Sequence, residues 1–380
     1  LKRESNLTIK LTRKIEEIPF EDWNKVYPKV LENYHFFKTL DEANFEQFSF
    51  YYIIIYEQDT PVAATSIFSM HFALDMMVKG LLKVFLNFIK KLTPNLLSPK
   101  VLICGLPMGP GRIGITGEPR PLIQKICAVL EELAKKEKAA MIIFKDFTAV
   151  YDDILKVLLK RGYHKIESIP LAKMPINFSS FADYLKTLSP VSRSGLKRNL
   201  KKADQSVKID LEITDALDEN TLPKVYELYL ETYRRQDLGL EKLPIDFFRI
   251  ISKNMPNEVK YFLWRIEGKI VAFALCLIAQ DYFIDYYLGF DYSVAHQYYL
   301  YFVRFRDLLN WCINHGIKEY EMGVTSYEPK RRLGFDFVRL YFYMKHRNKL
   351  INLFFDFFSY FFKPERYEPI FKEMNKNRRK

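Results

Sequence analysis

The sequence predicts two tandem domains of mixed α/β (α+β) class, each a mostly antiparallel sheet flanked by helices. Three observations carry this. The chain has 380 residues, room for two domains of ordinary size. Its apolar residues switch repeatedly between strand-like runs and helical spacing. The order helix-helix-strand-strand-strand-helix-strand-helix-strand is met in residues 1–178 and again in 209–347, as an internal duplication would give.

Taken in order, residues 15–34 and 41–48 read as the first two helices. Phe50–Tyr56 and Val62–Phe68 are rich in β-branched and aromatic residues and flank a polar turn, a hairpin pattern. Val101–Cys104 is a short strand, followed by a Gly/Pro-rich loop over 105–114. Pro121–Lys138 reads as a helix, with proline in its first turn and lysines at its end. Ala140–Lys145 is a strand, Asp152–Arg161 a helix stopped by Gly162, and two strands lie about 165–169 and 172–176. A basic connector, 179–208, leads into the second round. There the helices are Leu222–Tyr233 and Ile245–Asn254, and the strands Tyr261–Ile266, Ile270–Ala279 and Tyr282–Phe290. The helix Tyr298–His315 ends at Gly316, and a strand Glu319–Gly323, the segment Tyr327–Gly334 and a last strand over 338–345 follow. Residues 348–380 form an aromatic amphipathic helix and a basic tail.

Composition narrows the function. With 49% hydrophobic and 27% charged residues the chain is not disordered and can fill two cores. Its net charge of +12 favours anionic partners: phosphorylated cofactors, RNA or anionic membrane. Cys104, Cys127, Cys276 and Cys312 lie far apart in apolar runs, without metal-ligand or disulfide-scaffold spacing. They read as buried residues in a reducing compartment, and no metal is expected. The polar start carries no signal-peptide pattern, and no run is long enough to span a bilayer. A cytoplasmic protein is therefore expected.

One stretch is more specific. It comprises Asp285-Tyr286-Tyr287-Leu288-Gly289-Phe290, a helix ending at Asn314-His315-Gly316, then Glu321-Met322-Gly323, then Tyr327-Glu328-Pro329-Lys330-Arg331-Arg332-Leu333-Gly334-Phe335. This resembles the GCN5-related N-acetyltransferase superfamily, and within it the double-domain branch of Fem-like aminoacyltransferases and their acetyltransferase-like relatives. The basic run from Ser192 to Lys202 resembles that branch's segment between its halves. The resemblance implies a splayed sheet in each half, open between its central strands to a thioester's pantetheine arm. It also implies a pyrophosphate at the start of the following helix. In the second half that start is Tyr292–Gln297, which lacks a Gly-x-Gly pattern; in the first half 109–114 is richer in glycine but lies well before its helix.

The implied chemistry is attack of an amine on an activated acyl carbonyl, needing a proton acceptor and an oxyanion donor. Asp285 is the expected base, on the same strand face as Tyr287 by simple alternation; Glu321 is the second carboxylate. Tyr327 is the expected proton donor to the leaving group. Lys330 and Arg331 are expected to hold phosphates or a substrate carboxylate, with Tyr287, His296 and Gln297 lining the donor site. Arg193, Lys197 and Arg198, continued by Lys201 and Lys202, form cationic rows at helical spacing that suit a phosphate-bearing substrate.

Two further segments stand out. In 76–92 and 350–363 the polar residues step by three or four along otherwise apolar helical patterns. Such faces suit a membrane surface or a lipid-like substrate. The expectation is an N-acyltransferase that moves an acyl group from an acyl thioester, acyl-coenzyme A, to a small or lipid-like amine, peripheral on the inner face of the membrane. Two alternatives stand beside it: a Fem-like transferase using aminoacyl-tRNA on a cell-wall precursor, and a non-catalytic lipid- or partner-binding module.

Overall fold

The computed structural model describes residues 7–72, 98–235, 241–324, 326–353 and 371. The amphipathic segment 76–92 lies outside the described residues, as does all of 350–363 beyond Leu353. The chain forms two units, Leu1–Ile169 with Arg339–Lys380, and Pro170–Val338.

The first unit opens with β1 (Leu7–Thr12), α1 (Phe20–Val26) and α2 (Tyr34–Glu42), before the hairpin β2 (Ser49–Glu57) and β3 (Thr60–His71). Then come β4 (Lys100–Cys104), β5 (Ile113–Ile115), α3 (Pro119–Lys136), β6 (Met141–Thr148), α4 (Asp152–Leu159) and β7 (His164–Glu167). The helix expected over 15–34 is cut because Tyr27, ahead of Pro28, is extended with ψ 140°, as a pre-proline residue prefers. The chain re-enters helix at Asn33, whose side chain accepts from the N–H groups of His35 and Phe36 and so caps α2.

The second unit runs β8 (Leu171–Pro175), α5 (Phe181–Thr187), α6 (Pro190–Ser206), β9 (Asp210–Thr214), α7 (Thr221–Arg234), α8 (Ile245–Asn254), β10 (Val259–Ile266), β11 (Lys269–Ala279) and β12 (Tyr282–Phe290). It continues through α9 (Tyr292–Ala295), α10 (Leu300–Asn314), β13 (Glu319–Glu321), α11 (Tyr327–Arg332) and β14 (Asp336–Val338). The chain then returns to the first unit as β15 (Leu340–His346) and α12 (Lys349–Leu353).

Both sheets are mixed and mostly antiparallel. The first has the order β1-β2-β3-β4-β6-β15-β7, with β5 on β3; the second has β9-β10-β11-β12-β13-β8-β14. The duplication is therefore real down to strand order, with one exchange. β8 follows the first unit in sequence but lies between β13 and β14, while β15 follows the second unit but lies between β6 and β7. The unit boundaries accordingly fall at 169/170 and 338/339, where the sequence placed them at 178 and 347. Nothing in a strand's own pattern says which of two similar sheets it will join.

The basic connector of 179–208 is likewise part of the second unit. It folds as α5 and α6, capped by Ser180 and Ser189, whose side chains accept from the N–H groups of Asp183 and Ser192. Tyr184, Leu196, Leu200 and Ala203 enter the same core as Phe283 and Phe305. Only the opposite face of α6 keeps its cations in solvent.

Candidate active site

The site begins where two strands part. β12 and β13 run parallel and pair at three positions: Tyr282 with Glu319, Phe283 with Tyr320 and Ile284 with Glu321. β12 then continues to Phe290 against β11 alone. The chain after Glu321 stays on β8: Met322 N–H donates to the Ala172 carbonyl at 2.9 Å, and Ala172 N–H to the Gly323 carbonyl at 3.1 Å. A fork therefore opens in the second sheet, with Asp285 as the first residue of β12 past its pairing with β13.

A bulge sharpens the fork. Leu275 lies opposite Tyr287 and Cys276 opposite Asp285, so Tyr286 is an extra residue on β12. An extra residue breaks strand alternation. This overturns the expectation that Asp285 and Tyr287 share a face. Asp285 meets Arg304 of α10, whereas Tyr287 packs its ring on Tyr229 of α7 and Phe247 of α8 and donates to Glu241 at 3.1 Å.

Asp285 is buried, and Arg304 Nη1 donates to its Oδ2 at 2.5 Å, with both side chains essentially without solvent contact. Tyr320 donates its hydroxyl to the same oxygen at 3.1 Å. The other oxygen, Oδ1, has no hydrogen-bond partner, nor do Arg304 Nε and Nη2 or the buried Tyr301 hydroxyl. Each such atom calls for a partner, an ordered water or a ligand.

The second limb is braced by Lys330. Its buried ammonium donates to the Met322 carbonyl at 2.6 Å and more weakly to those of Gly323 and Val324 at 3.3 and 3.4 Å. Burial pushes its pKa down to about 7, with the Asp285 charge opposing and the Arg304 charge reinforcing the shift. Glu321 is also buried; it accepts from the Tyr282 hydroxyl and lies 3.6 Å from the Lys173 ammonium.

The structure thus gathers Asp285, Glu321 and Lys330 about the fork, commits Tyr287 and Tyr327 to other partners, and leaves the remaining expected residues exposed or half-buried. Tyr327 is fully buried and donates its hydroxyl to the Pro170 carbonyl at 2.9 Å, with its ring against Phe337. Arg331 is exposed and paired with Glu328 at 2.9 Å. His296 and Gln297 are exposed at the end of the short α9. Arg193 is half-buried and Lys197 and Arg198 are exposed on α6, where none of them, nor Lys201 or Lys202, makes an ion pair among the described residues. Lys202 reaches over the Tyr299 ring at 5.8 Å, just ahead of α10.

Sequence reasoning missed Arg304, Tyr320, Arg234 and Arg235. The signal for Arg304 was present: it lies four residues from both Leu300 and Leu308, in the buried stripe of α10. Arg234 and Arg235 end α7 and, with Glu231, Asp291, Tyr292 and Ser293, line an open cleft at the start of α9. The Arg235 guanidinium lies 4.1 Å from the centre of the Tyr292 ring. Among the described residues no cluster of three or more His, Cys, Asp or Glu is arranged to hold a metal ion. None of their helices is long and apolar enough to cross a membrane.

The first sheet has the same parting but not the same opening. β4 and β6 pair in parallel through Cys104 and Phe144. The strand corresponding to β12 is then interrupted: loop 105–112 leaves the sheet and β5 resumes pairing with β3. The loop bonds across to β6 through Gly111 N–H and the Asp146 carbonyl, 3.1 Å. A Cβ at Gly111 would stand 2.2 Å from the Lys145 carbonyl oxygen, and one at Gly114 2.1 Å from that of Val26. These glycines are needed for close backbone packing.

Comparison with known proteins agrees with this architecture. Residues 98–359 match the family model FemAB-like, described as peptidoglycan biosynthesis/recognition. Two Mycobacterium tuberculosis sequences that carry the name 8-amino-7-oxononanoate synthase 2 are 22% identical over 314 residues, 79% of this chain and 40% of theirs. The chain thus spans less than half the length of those curated relatives. Among solved structures, FemX superposes with a TM-score of 0.56 at 13% identity, over 90% of this chain and 98% of its own. A tandem GNAT protein from the clavulanic acid biosynthesis pathway gives 0.55 at 10%, with the same two coverages. L-PGS from Bacillus licheniformis gives 0.50 at 11%, over 79% and 86%. At these identities the likeness is one of fold.

Proposed function

The chain belongs to the FemAB-like family, and from that premise we propose that it is an N-acyltransferase working at the fork of its second sheet. One observation carries the reading: β12 and β13 separate after Ile284 and Glu321, and the first residue past the split is a buried aspartate with one unpartnered oxygen.

In this reading the donor's acyl carbonyl lies between the limbs. The acceptor's amine nitrogen attacks the carbonyl carbon, a C–N bond forms, and the bond to the leaving group breaks. Asp285 Oδ1 takes the proton the amine must lose. A thioester donor releases a thiolate, whose conjugate acid has a pKa of about 8.5, so no strong acid is needed for departure. Tyr327 is given up as that acid, since its O–H is spent on the Pro170 carbonyl. Lys330 is given the task of holding the second limb in place rather than of binding phosphate. Arg331 is likewise given up as a phosphate ligand. Phosphates instead fall to Arg234 and Arg235 beside the α9 cleft.

The preferred donor is an acyl-coenzyme A and the acceptor a small or lipid-like amine at a membrane surface. A second reading, an aminoacyl-tRNA donor and a cell-wall precursor acceptor, is favoured by the unneutralised cations of α6 and by the family's description. Thermal shift with coenzyme A, an acyl-coenzyme A and bulk tRNA separates the two. A ligand at one hundred times its dissociation constant adds about 2.7 kcal/mol of stability. Stabilisation by the coenzyme A compounds supports the first reading, stabilisation by tRNA alone the second. A flat response to all three removes both.

A further inference from the structure

The fork's vertex carries an unusual set of unused hydrogen-bonding atoms. Arg304 spends Nη1 on Asp285, but its Nε and Nη2 atoms, buried, have no partner. These two atoms form one edge of the guanidinium, with parallel N–H bonds at the spacing of two carboxylate oxygens. The ring of Phe290 lies 6.0 Å from the guanidinium centre, and Tyr301 on the same helix brings a second unpartnered donor, its hydroxyl.

We propose that this edge of Arg304 is a substrate carboxylate site at the vertex of the fork. The inference rests on the acyltransferase reading for its place in a reaction but not for the binding itself. Three features decide the ligand's chemistry. Arg304 offers two N–H groups and Tyr301 an O–H, so donors outnumber the one free acceptor, Asp285 Oδ1. An apolar acyl chain would leave all of them unsatisfied. An ammonium would satisfy only the acceptor, and would stand beside a buried guanidinium. A carboxylate meets both Arg304 donors at once, since a guanidinium can take one carboxylate on each of two edges and only the Nη1 side is in use. Asp285 Oδ1 is then left to accept from an amine.

The carboxylate has two sources that the fork would treat alike. It can end the transferred acyl group, as in a dicarboxylic monothioester, or it can belong to an amino-acid-like acceptor whose amine lies toward Asp285. In either case Arg304 binds and Asp285 accepts a proton, and no further group is required.

The test starts with the full chain and two probes of one shape, succinate and succinamide, titrated by calorimetry. Succinate is expected to bind about 10²-fold more tightly than succinamide, the margin of charge-assisted bonds to a buried guanidinium. Arg304→Lys keeps the charge but loses the paired edge, and is expected to abolish that preference while retaining the wild-type circular dichroism. Should that variant fail to fold, the wild-type comparison alone decides. Equal affinity for the two probes, or none for either, overturns the proposal. The source follows from turnover: succinyl-coenzyme A preferred over butyryl-coenzyme A with a plain amine points to the acyl group, and acetyl transfer to glycine but not to glycinamide points to the acceptor. Carboxylate binding without any acyl transfer would leave the site standing and sink the acyltransferase reading. Acyl transfer indifferent to carboxylates would do the reverse.

Discussion

Removing either half of the Asp285–Arg304 pair should unfold the second unit far more readily than removing both. The two side chains have exposures of 0% and 1%, and among the described residues each is the other's one ionic contact, at 2.5 Å. In Arg304→Met the carboxylate keeps only the Tyr320 hydroxyl; in Asp285→Leu the guanidinium keeps no charged partner. An uncompensated buried charge of this kind costs about 3–5 kcal/mol. The double variant buries two apolar side chains instead and should lie within about 1–2 kcal/mol of the wild type. The coupling is then about 4 kcal/mol or more, well above the additivity error of separate sites. The chain's tryptophans are Trp23, Trp264 and Trp311, and only Trp23 lies in the first unit. In a Trp23→Phe background, urea unfolding followed by tryptophan emission reports the second unit alone. Single variants that each cost under about 1 kcal/mol, or a double variant that costs their sum, would refute the reasoning.

Lys330 should leave a mark on the pH dependence. Its folded pKa of about 7 lies below the ordinary 10.5, so between these values the unfolded chain holds a proton that the folded chain does not. Its contribution therefore rises with pH across that window, by up to about 1.4 kcal/mol per pH unit, and is flat below it. The urea midpoint of wild type relative to Lys330→Met should climb from pH 7 to pH 9; parallel profiles would contradict this. At Gly289, a Cβ would stand 2.4 Å from the Phe273 ring and 2.5 Å from the Leu228 carbonyl carbon. Gly289→Ala should force α7 off the sheet, costing about 1–3 kcal/mol in urea unfolding. Gly195, inside α6, has nothing within 4 Å of the added carbon, so Gly195→Ala should stabilise by about 0.5–1 kcal/mol. A loss of stability there would show an unrecognised contact on that face.

The duplication and most of its strands were legible because apolar periodicity and turn residues are local. Tyr282–Phe290 was bounded correctly, since Gln280-Asp281 opens it and Asp291 closes it. Asp285 stood out as a carboxylate among aromatics, Glu321 as a second carboxylate on the strand after the long helix, and Lys330 through the motif that carries the family resemblance. What was not legible depended on partners distant in sequence. The bulge at Tyr286 is set by pairing with β11, so the faces of Asp285 and Tyr287 could not be read from alternation. Tyr327 looked like a free phenol until Pro170, far upstream, proved to hold its hydroxyl. Arg304 was passed over although its spacing places it in the buried stripe of α10, and its partner Asp285 lies on another element. The glycines that follow β4 did not announce their packing: a Cβ at Gly111 would meet the Lys145 carbonyl and one at Gly114 that of Val26.

The exchange of β8 and β15 sets a timetable for synthesis. The first sheet has its last lane filled by residues 340–346, so β6 and β7 must wait, about two strand spacings or roughly 9.5 Å apart, until all of the second repeat through β14 has been made. A stop codon placed just after the second repeat's β14 would not trim a tail; it would leave a slot in the oldest part of the molecule. Splitting the gene between the repeats would likewise yield two fragments that each carry a strand belonging to the other. Each sheet is complete only with a strand that the other repeat encodes.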